Sequence, residues 1–261
     1  MIVLVFDYLT TNMDRNVDGK IVAVTGGAQG LGLAMVNSFL QNGAKLAIIL
    51  DINEEVGLQA IADLKINYPN KAVFYKCNVV TDLNNIYDLI IKNHQQVDIL
   101  INNAGILDEL NIKRSIDINT IAVMEWSMKF YEHMRFDKGG KGGTIINVSS
   151  IFGYRITAHL PYYHASKFAV LGFSKSLGHE TNYKKTKVRV ATLCPGLVLT
   201  NISANPVIRE KDLLPEFLVD LKTYEWQESK AIGAGTVEIF QKADSGTAWV
   251  VEGSRPAQEL V

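Results

Sequence analysis

Short runs of β-branched and aliphatic residues recur along the chain, at Lys20 to Thr25, Lys45 to Leu50, Ala72 to Cys77, Val97 to Asn102, Gly143 to Ser149, Val188 to Cys194 and Ala248 to Val251. They predict seven strands. Most of these runs are apolar throughout rather than alternating, which suits a parallel sheet covered on both faces. Amphipathic stretches between them predict helices over about 31–42, 54–68, 82–95, 110–136, 162–182 and 230–243. Strand and helix in alternation predict a single-domain, doubly wound α/β fold with a seven-stranded parallel sheet and helices on both faces.

Two segments break this rhythm. Residues 199–229 are long for a strand-to-helix connection, and within them Leu214, Phe217, Leu218 and Leu221 recur at helical spacing. That short apolar face either closes over an apolar ligand as a substrate lid or packs on the core. At the other end, Met13 begins a segment running directly into the first strand. Residues 1–12 are therefore expected to be an extension, either outside the fold or adding an edge strand, with the domain itself over 13–261.

Composition narrows the function. Of 261 residues 48% are hydrophobic, enough for one core, and 26 Lys+Arg against 27 Asp+Glu leave almost no net charge. The basic stretch Lys184-Lys185-Thr186-Lys187 is too short for a nucleic-acid footprint, so a small neutral partner fits better. Cys77 and Cys194 each sit in an apolar run without metal-site or disulfide spacing, which points to buried free thiols and no metal. No apolar run approaches the roughly 20 residues that cross a bilayer. The opening Met1 to Phe6 has no basic flank, and the cytoplasm is the expected compartment.

The first strand runs into Thr25-Gly26-Gly27-Ala28-Gln29-Gly30-Leu31-Gly32 and then a helix, the context that a dinucleotide fingerprint requires. Gly26 permits a tight turn, Gly30 lets backbone approach a pyrophosphate, and Gly32 allows close helix packing, while the helix amino terminus offers N–H groups and partial positive charge. A glycine-rich turn without ligand is the plainer alternative. Asp51 closes the second strand, where an acidic residue hydrogen-bonds the adenosine ribose, and it favours NAD. Neither Ala28, Gln29 nor Ile52 offers the cation that an NADP phosphate would want. Asp51 can also cap the helix starting near Glu54. Asn103, Ala104 and Gly105 end the fourth strand at the edge where ligands of such sheets bind, although the same residues can simply shape a turn.

Tyr163 and Lys167 are four apart at the start of a predicted helix, which stacks them on one face. A tyrosine acting as base near pH 7 needs its pKa lowered by roughly 3 units, and an adjacent ammonium acts in that direction. Tyr and Lys at this spacing are also common on surfaces. What changes the picture is Asn147-Val148-Ser149-Ser150 at the end of strand five, which brings a hydroxyl, Ser150 or with a one-residue slip Ser149, to the same crevice.

With Thr25 to Gly32, Asn102 to Gly105, Ser150, Tyr163, Lys167 and Cys194-Pro195-Gly196 in this order, residues 20–200 resemble the short-chain dehydrogenase/reductase family, which has a Rossmann fold. The resemblance implies a catalytic tetrad of Asn119, Ser150, Tyr163 and Lys167. The family's asparagine holds a water beside the lysine; an asparagine facing solvent is the alternative. It further implies that Gly26, Gln29, Gly30, Leu31, Gly32, Asp51, Ile52, Asn78, Val79, Asn103, Ala104, Gly105, Val148, Pro195, Gly196, Val198 and Thr200 join Tyr163 and Lys167 in binding the cofactor. Asn78 stands where many relatives have an aspartate against the adenine amine. Within the family, Gly139 to Gly143 and Tyr162 to Lys167 resemble NAD-dependent 15-hydroxyprostaglandin dehydrogenases, and Ala248 to Gly253 resembles insect alcohol dehydrogenases.

That likeness implies NAD-dependent oxidation of a medium-sized apolar secondary or allylic alcohol, terpenoid, aliphatic, prostaglandin- or steroid-like. Carbonyl reduction in the reverse direction and a catalytically silent NAD-binding protein are the alternatives. Ser150, Ile151, Leu160 and Leu197 are expected at the substrate. His159 is expected in a water-exposed loop, with substrate contact as the other reading. A homodimer or homotetramer is implied through Ile121, Met124, Met128 and Phe173.

Overall fold

The computed structural model describes residues 15–204 and 206–261, without the side chain of Asn201. The extension expected over residues 1–12 lies outside the described residues.

Strand and helix alternate as the pattern predicts. The first half runs β1 (Ile21–Thr25), α1 (Gly30–Gln41), β2 (Leu46–Asp51), α2 (Glu54–Asn67), β3 (Ala72–Lys76), α3 (Leu83–His94), β4 (Ile99–Asn102), α4 (Ile112–Ile116), α5 (Ala122–Met134) and β5 (Gly143–Val148). The second half runs α6 (Pro161–Leu177), α7 (Glu180–Thr186), β6 (Val188–Pro195), β7 (Leu197–Val198), α8 (Asn201–Ala204), α9 (Leu214–Leu221), β8 (Trp226–Gln227), α10 (Ser229–Lys242), β9 (Ala248–Val251) and β10 (Gln258–Glu259).

Among the described residues the main sheet has eight strands rather than seven, in the order β10-β9-β6-β5-β4-β1-β2-β3. The seven expected strands pair in parallel throughout. The eighth, β10, adds an antiparallel edge against β9, with Gln258 opposite Val250 and Glu259 opposite Trp249. Two exposed polar residues carry no apolar signal, so periodicity had nothing to detect. A separate parallel pair, β7 with β8, ties the far end of the 199–229 segment to the residues just before it.

Alternation along the strands sends side chains to opposite faces. Val22, Val24, Ile99, Ile101 and Ile146 join α1 and α10 in one apolar layer. Ile21, Ala23, Ile48, Leu100 and Ile145 join α5 in the other. Two predicted helices are interrupted. The 110–136 helix contains a π-helical turn over Asp117–Ile121, between α4 and α5. The 162–182 helix ends at Leu177 and restarts as α7, with His179 as its N-cap.

Candidate active site

Strand order reverses between β1 and β4: β2 and β3 lie outward of β1, while β5 and β6 lie outward of β4. Chains leaving the carboxyl ends of β1 and β4 therefore diverge and leave a crevice, which in open α/β sheets is the ligand site. A cavity of about 670 Å³ opens there. Of the residues expected to bind cofactor or substrate, the structure brings to its wall Gly26, Gln29, Gly30, Leu31, Asp51, Ile52, Asn78, Val79, Asn103, Ala104, Gly105, Val148, Ser150, Tyr163, Pro195, Gly196, Leu197, Val198 and Thr200.

The glycine loop is shaped for close approach. Gly26 and Gly30 have φ of +61° and +55°, the left-handed region where a side chain is strained. Gly32 does not reach the cavity. A Cβ there would stand 2.1 Å from the Gly26 carbonyl oxygen, so its part is packing. Asn103 braces this turn: its side-chain amide donates to the Thr25 and Gly26 carbonyls, each at 3.0 Å, while Thr25 Oγ1 accepts from the Asn103 and Ala104 N–H groups. At the start of α1, Gln29 makes no side-chain cap hydrogen bond and the first turn carries no acidic residue, an end left fit for an anionic group.

Asp51 lines the cavity yet is buried; its oxygens accept the N–H of Ala28 and Asn53, each at 3.1 Å. It is not the cap of α2. Asn53 fills that role by accepting the Val56 N–H. Asn78 faces the cavity with its Oδ1 accepting from the Val80 N–H at 3.1 Å.

At the opposite end, Tyr163 and Ser150 both line the cavity, and the Ser150 side chain favours the ionised phenol. Lys167 Nζ lies 5.6 Å from the centre of the Tyr163 ring and donates to the Val148 carbonyl at 3.0 Å. Ser149 is not a substitute for Ser150, because its hydroxyl is spent on the Lys167 carbonyl at 2.8 Å. Asn119 is fully buried, which overturns the solvent-facing alternative. Its amide group exchanges two hydrogen bonds of 2.8 Å with the Ile106 backbone, and it sits on the π-helical turn. A Cβ added at Gly105 would fall 3.3 Å from Asn119 Oδ1 and 3.6 Å from Lys167 Nζ, so both polar groups lie close to Gly105.

The electrostatics of the chain alone differ from expectation. Instead of lying below its ordinary value, the Tyr163 phenol is pushed up to about 12, because burial disfavours the phenolate more than the Ser150 side chain favours it. Burial likewise pushes Lys167 down to about 8. The cavity thus holds a neutral phenol until further positive charge arrives.

Three other expectations fail. Ile151 and Leu160 are fully buried in a third apolar cluster with Phe217 and do not reach the cavity. Ser150 is extended, and the tight turn Ile151–Gly153 after it turns Ile151 into the core and Phe152 to the cavity. His159 is buried, not exposed: its Nε2 is 3.2 Å from Asp220 Oδ2, its ring is 5.2 Å from that of Phe217, and among the described residues its Nδ1 has no hydrogen-bond partner. The apolar face of α9 divides, Phe217 and Leu221 facing the cavity while Leu218 stays exposed. Ile202, an apolar residue of the 199–229 segment, also lines the cavity, as do Ile106 and Leu107, for which the sequence offered no signal.

The profile described as short chain dehydrogenase matches residues 20–211. The chain is 37% identical over 236 residues to 15-hydroxyprostaglandin dehydrogenase [NAD(+)] of Rattus norvegicus, covering 87% of this chain and 88% of that one. It is 29% identical to Alcohol dehydrogenase 1 of Ceratitis cosyra, over 90% of this chain and 92% of the relative. The 3-ketoacyl-(acyl-carrier-protein) reductase from Brucella melitensis complexed with NADH superposes with a TM-score of 0.78 at 21% identity, covering 91% and 98% of the two chains, a likeness of fold.

Proposed function

The chain belongs to the short-chain dehydrogenase family, and from that premise we propose that it oxidises a medium-sized apolar secondary or allylic alcohol with NAD, using Tyr163 as general base. The observation that carries this reading is the convergence, in one cavity, of a glycine loop at a helix amino terminus, the Asp51 carboxylate, and the side chains of Tyr163 and Ser150. The residues fit NAD: a carboxylate at the end of β2 favours a ribose hydroxyl over a phosphate. The rat relative is named for NAD(+). Gly26, Gly30 and Leu31 would hold the pyrophosphate, Asp51 the adenosine ribose, and Pro195 to Thr200 the nicotinamide.

When bound, NAD supplies the acceptor for the hydride that leaves the carbinol carbon. Ser150 holds the substrate oxygen beside Tyr163 Oη, which takes the hydroxyl proton. Lys167 favours the phenolate by its charge, and Asn119 fixes the backbone beneath it. Phe152, Phe217 and Leu221 exclude water and recognise apolar bulk. The segment over 199–229 acts as the lid, and Ile121 and Met128, both exposed, belong to the face joining copies in a homodimer or homotetramer.

The test is growth of reduced-nicotinamide absorbance when the protein meets NAD⁺ with octan-2-ol, geraniol and a steroid secondary alcohol. Tyr163→Phe should abolish turnover and leave NAD⁺ affinity unchanged. Turnover retained by that variant would rule out the base.

A further inference from the structure

Helix α6, which carries Tyr163, begins in an unusual way. Its N-cap position is held by Leu160, a buried apolar residue with no capping side chain, and Pro161 at the first helical position has no N–H. The His164 N–H is taken by the Leu160 carbonyl at 2.8 Å. The first-turn donors that remain are the amides of Tyr162 and Tyr163.

Both are met by one side chain from the loop between β4 and α4. Glu109 is 1% exposed, and its Oε2 and Oε1 accept from the Tyr162 and Tyr163 N–H groups at 2.9 and 2.7 Å. Among the described residues it forms no salt bridge, so its carboxylate is satisfied by the amino terminus of α6. A buried carboxylate is costly unless it is hydrogen-bonded, which makes this contact a stiff one. Glu109 is itself fixed. Its N–H donates to the Val207 carbonyl at 2.9 Å, and the preceding Asp108 accepts at its carbonyl from Ser115 Oγ at 2.5 Å.

We propose that Glu109 is a positioning residue for the reaction: by binding the Tyr163 amide it sets where the phenol stands relative to Ser150, and through Val207 it ties that position to the 199–229 segment. This rests on Tyr163 being the base. Glu109 is not on the cavity wall, so it acts on the reacting atoms only through the backbone of the tyrosine.

The test compares Glu109→Gln and Glu109→Ala with the parent, using NAD⁺ and whichever alcohol of the panel above is oxidised fastest, with octan-2-ol as reference. Gln keeps the shape and one acceptor but sets an NH₂ against the other donor. A displacement near 1 Å at a reacting group costs up to about 100-fold, so kcat is expected to fall about 10-fold in Gln and about 100-fold in Ala. KM for the alcohol and Kd for NAD⁺ should stay within about threefold. A purely structural cap would lower Tm and leave kcat unchanged at 25 °C, and that result would overturn the proposal. If Ala does not fold, Gln carries the comparison. On the unaltered protein the Tyr162 and Tyr163 amides should exchange with solvent as slowly as the interior of α6, and fast exchange overturns the contact whatever the variants do. Full activity in Glu109→Gln beside a dead Tyr163→Phe rejects Glu109 alone, whereas turnover by Tyr163→Phe rejects the base itself.

Discussion

Replacing Lys167 by methionine isolates the charge that Tyr163 depends on. With Lys167 in place the phenol of the chain alone stands at about 12, so ionising at pH 8 requires about 4 units, roughly 5 kcal/mol, from charge that arrives with the cofactor. At the 5.6 Å between Lys167 Nζ and the ring centre, an effective dielectric near 20 gives about 3 kcal/mol, or about 2 units. The interaction is reciprocal. Burial holds Lys167 near 8, and the phenolate, once formed, lifts it again by a similar amount, so the ammonium persists while it is needed. Removing it leaves the phenol harder to ionise, which moves the acid limb of kcat/KM upward by about 2 units and lowers activity at pH 7 about 100-fold.

Stability should change little. The lysine loses about 2.5 units on burial, roughly 3 kcal/mol against folding at neutral pH that methionine relieves. The orphaned Val148 carbonyl costs about 1–3 kcal/mol in the other direction. The assay is initial rates of NADH formation from pH 5.5 to 10.5 at saturating NAD⁺, with circular dichroism and NAD⁺ titration on both proteins. A Lys167→Met profile whose acid limb coincides with that of the parent refutes the argument, because the charge would then be doing nothing to the base.

Gly32→Ala should weaken NAD⁺ binding at least 100-fold, measured by NADH fluorescence, since its Cβ would stand 2.1 Å from the Gly26 oxygen and 2.7 Å from Asn103 Nδ2; affinity within threefold of the parent argues against that packing. Phe217→Ala should raise KM for the alcohol at least tenfold with NAD⁺ affinity intact, because Phe217 belongs to the apolar cluster that meets Tyr163. It should also lower stability by about 3–5 kcal/mol in urea titration, and an unchanged KM would remove Phe217 from the substrate end. The thiols of Cys77 and Cys194 are both pushed up to about 12 by burial, so iodoacetamide at pH 8.5 should label them only after unfolding, and rapid labelling of folded protein contradicts this.

Seven parallel strands, the glycine loop and the order Ser150, Tyr163, Lys167 were legible in the sequence because each is a local signal, a period, a turn residue or an i, i+4 spacing that neighbouring residues enforce by themselves. The tertiary structure alone decided the rest. It paired the short polar strand β10 with β9, turned Ile151 inward and Phe152 outward at a single tight turn, buried His159 against Phe217 and Asp220, and delivered Glu109 to the amide of Tyr163. The His159 and Glu109 contacts join residues more than fifty positions apart, and no local pattern encodes them, since a carboxylate in a loop looks the same in sequence whether it faces water or an unsatisfied helix terminus. The ionisation of Tyr163 belongs with them. Its spacing to Lys167 promised a lowered pKa, but the balance between that charge and the cost of removing the phenol from water exists only once the chain has closed around it.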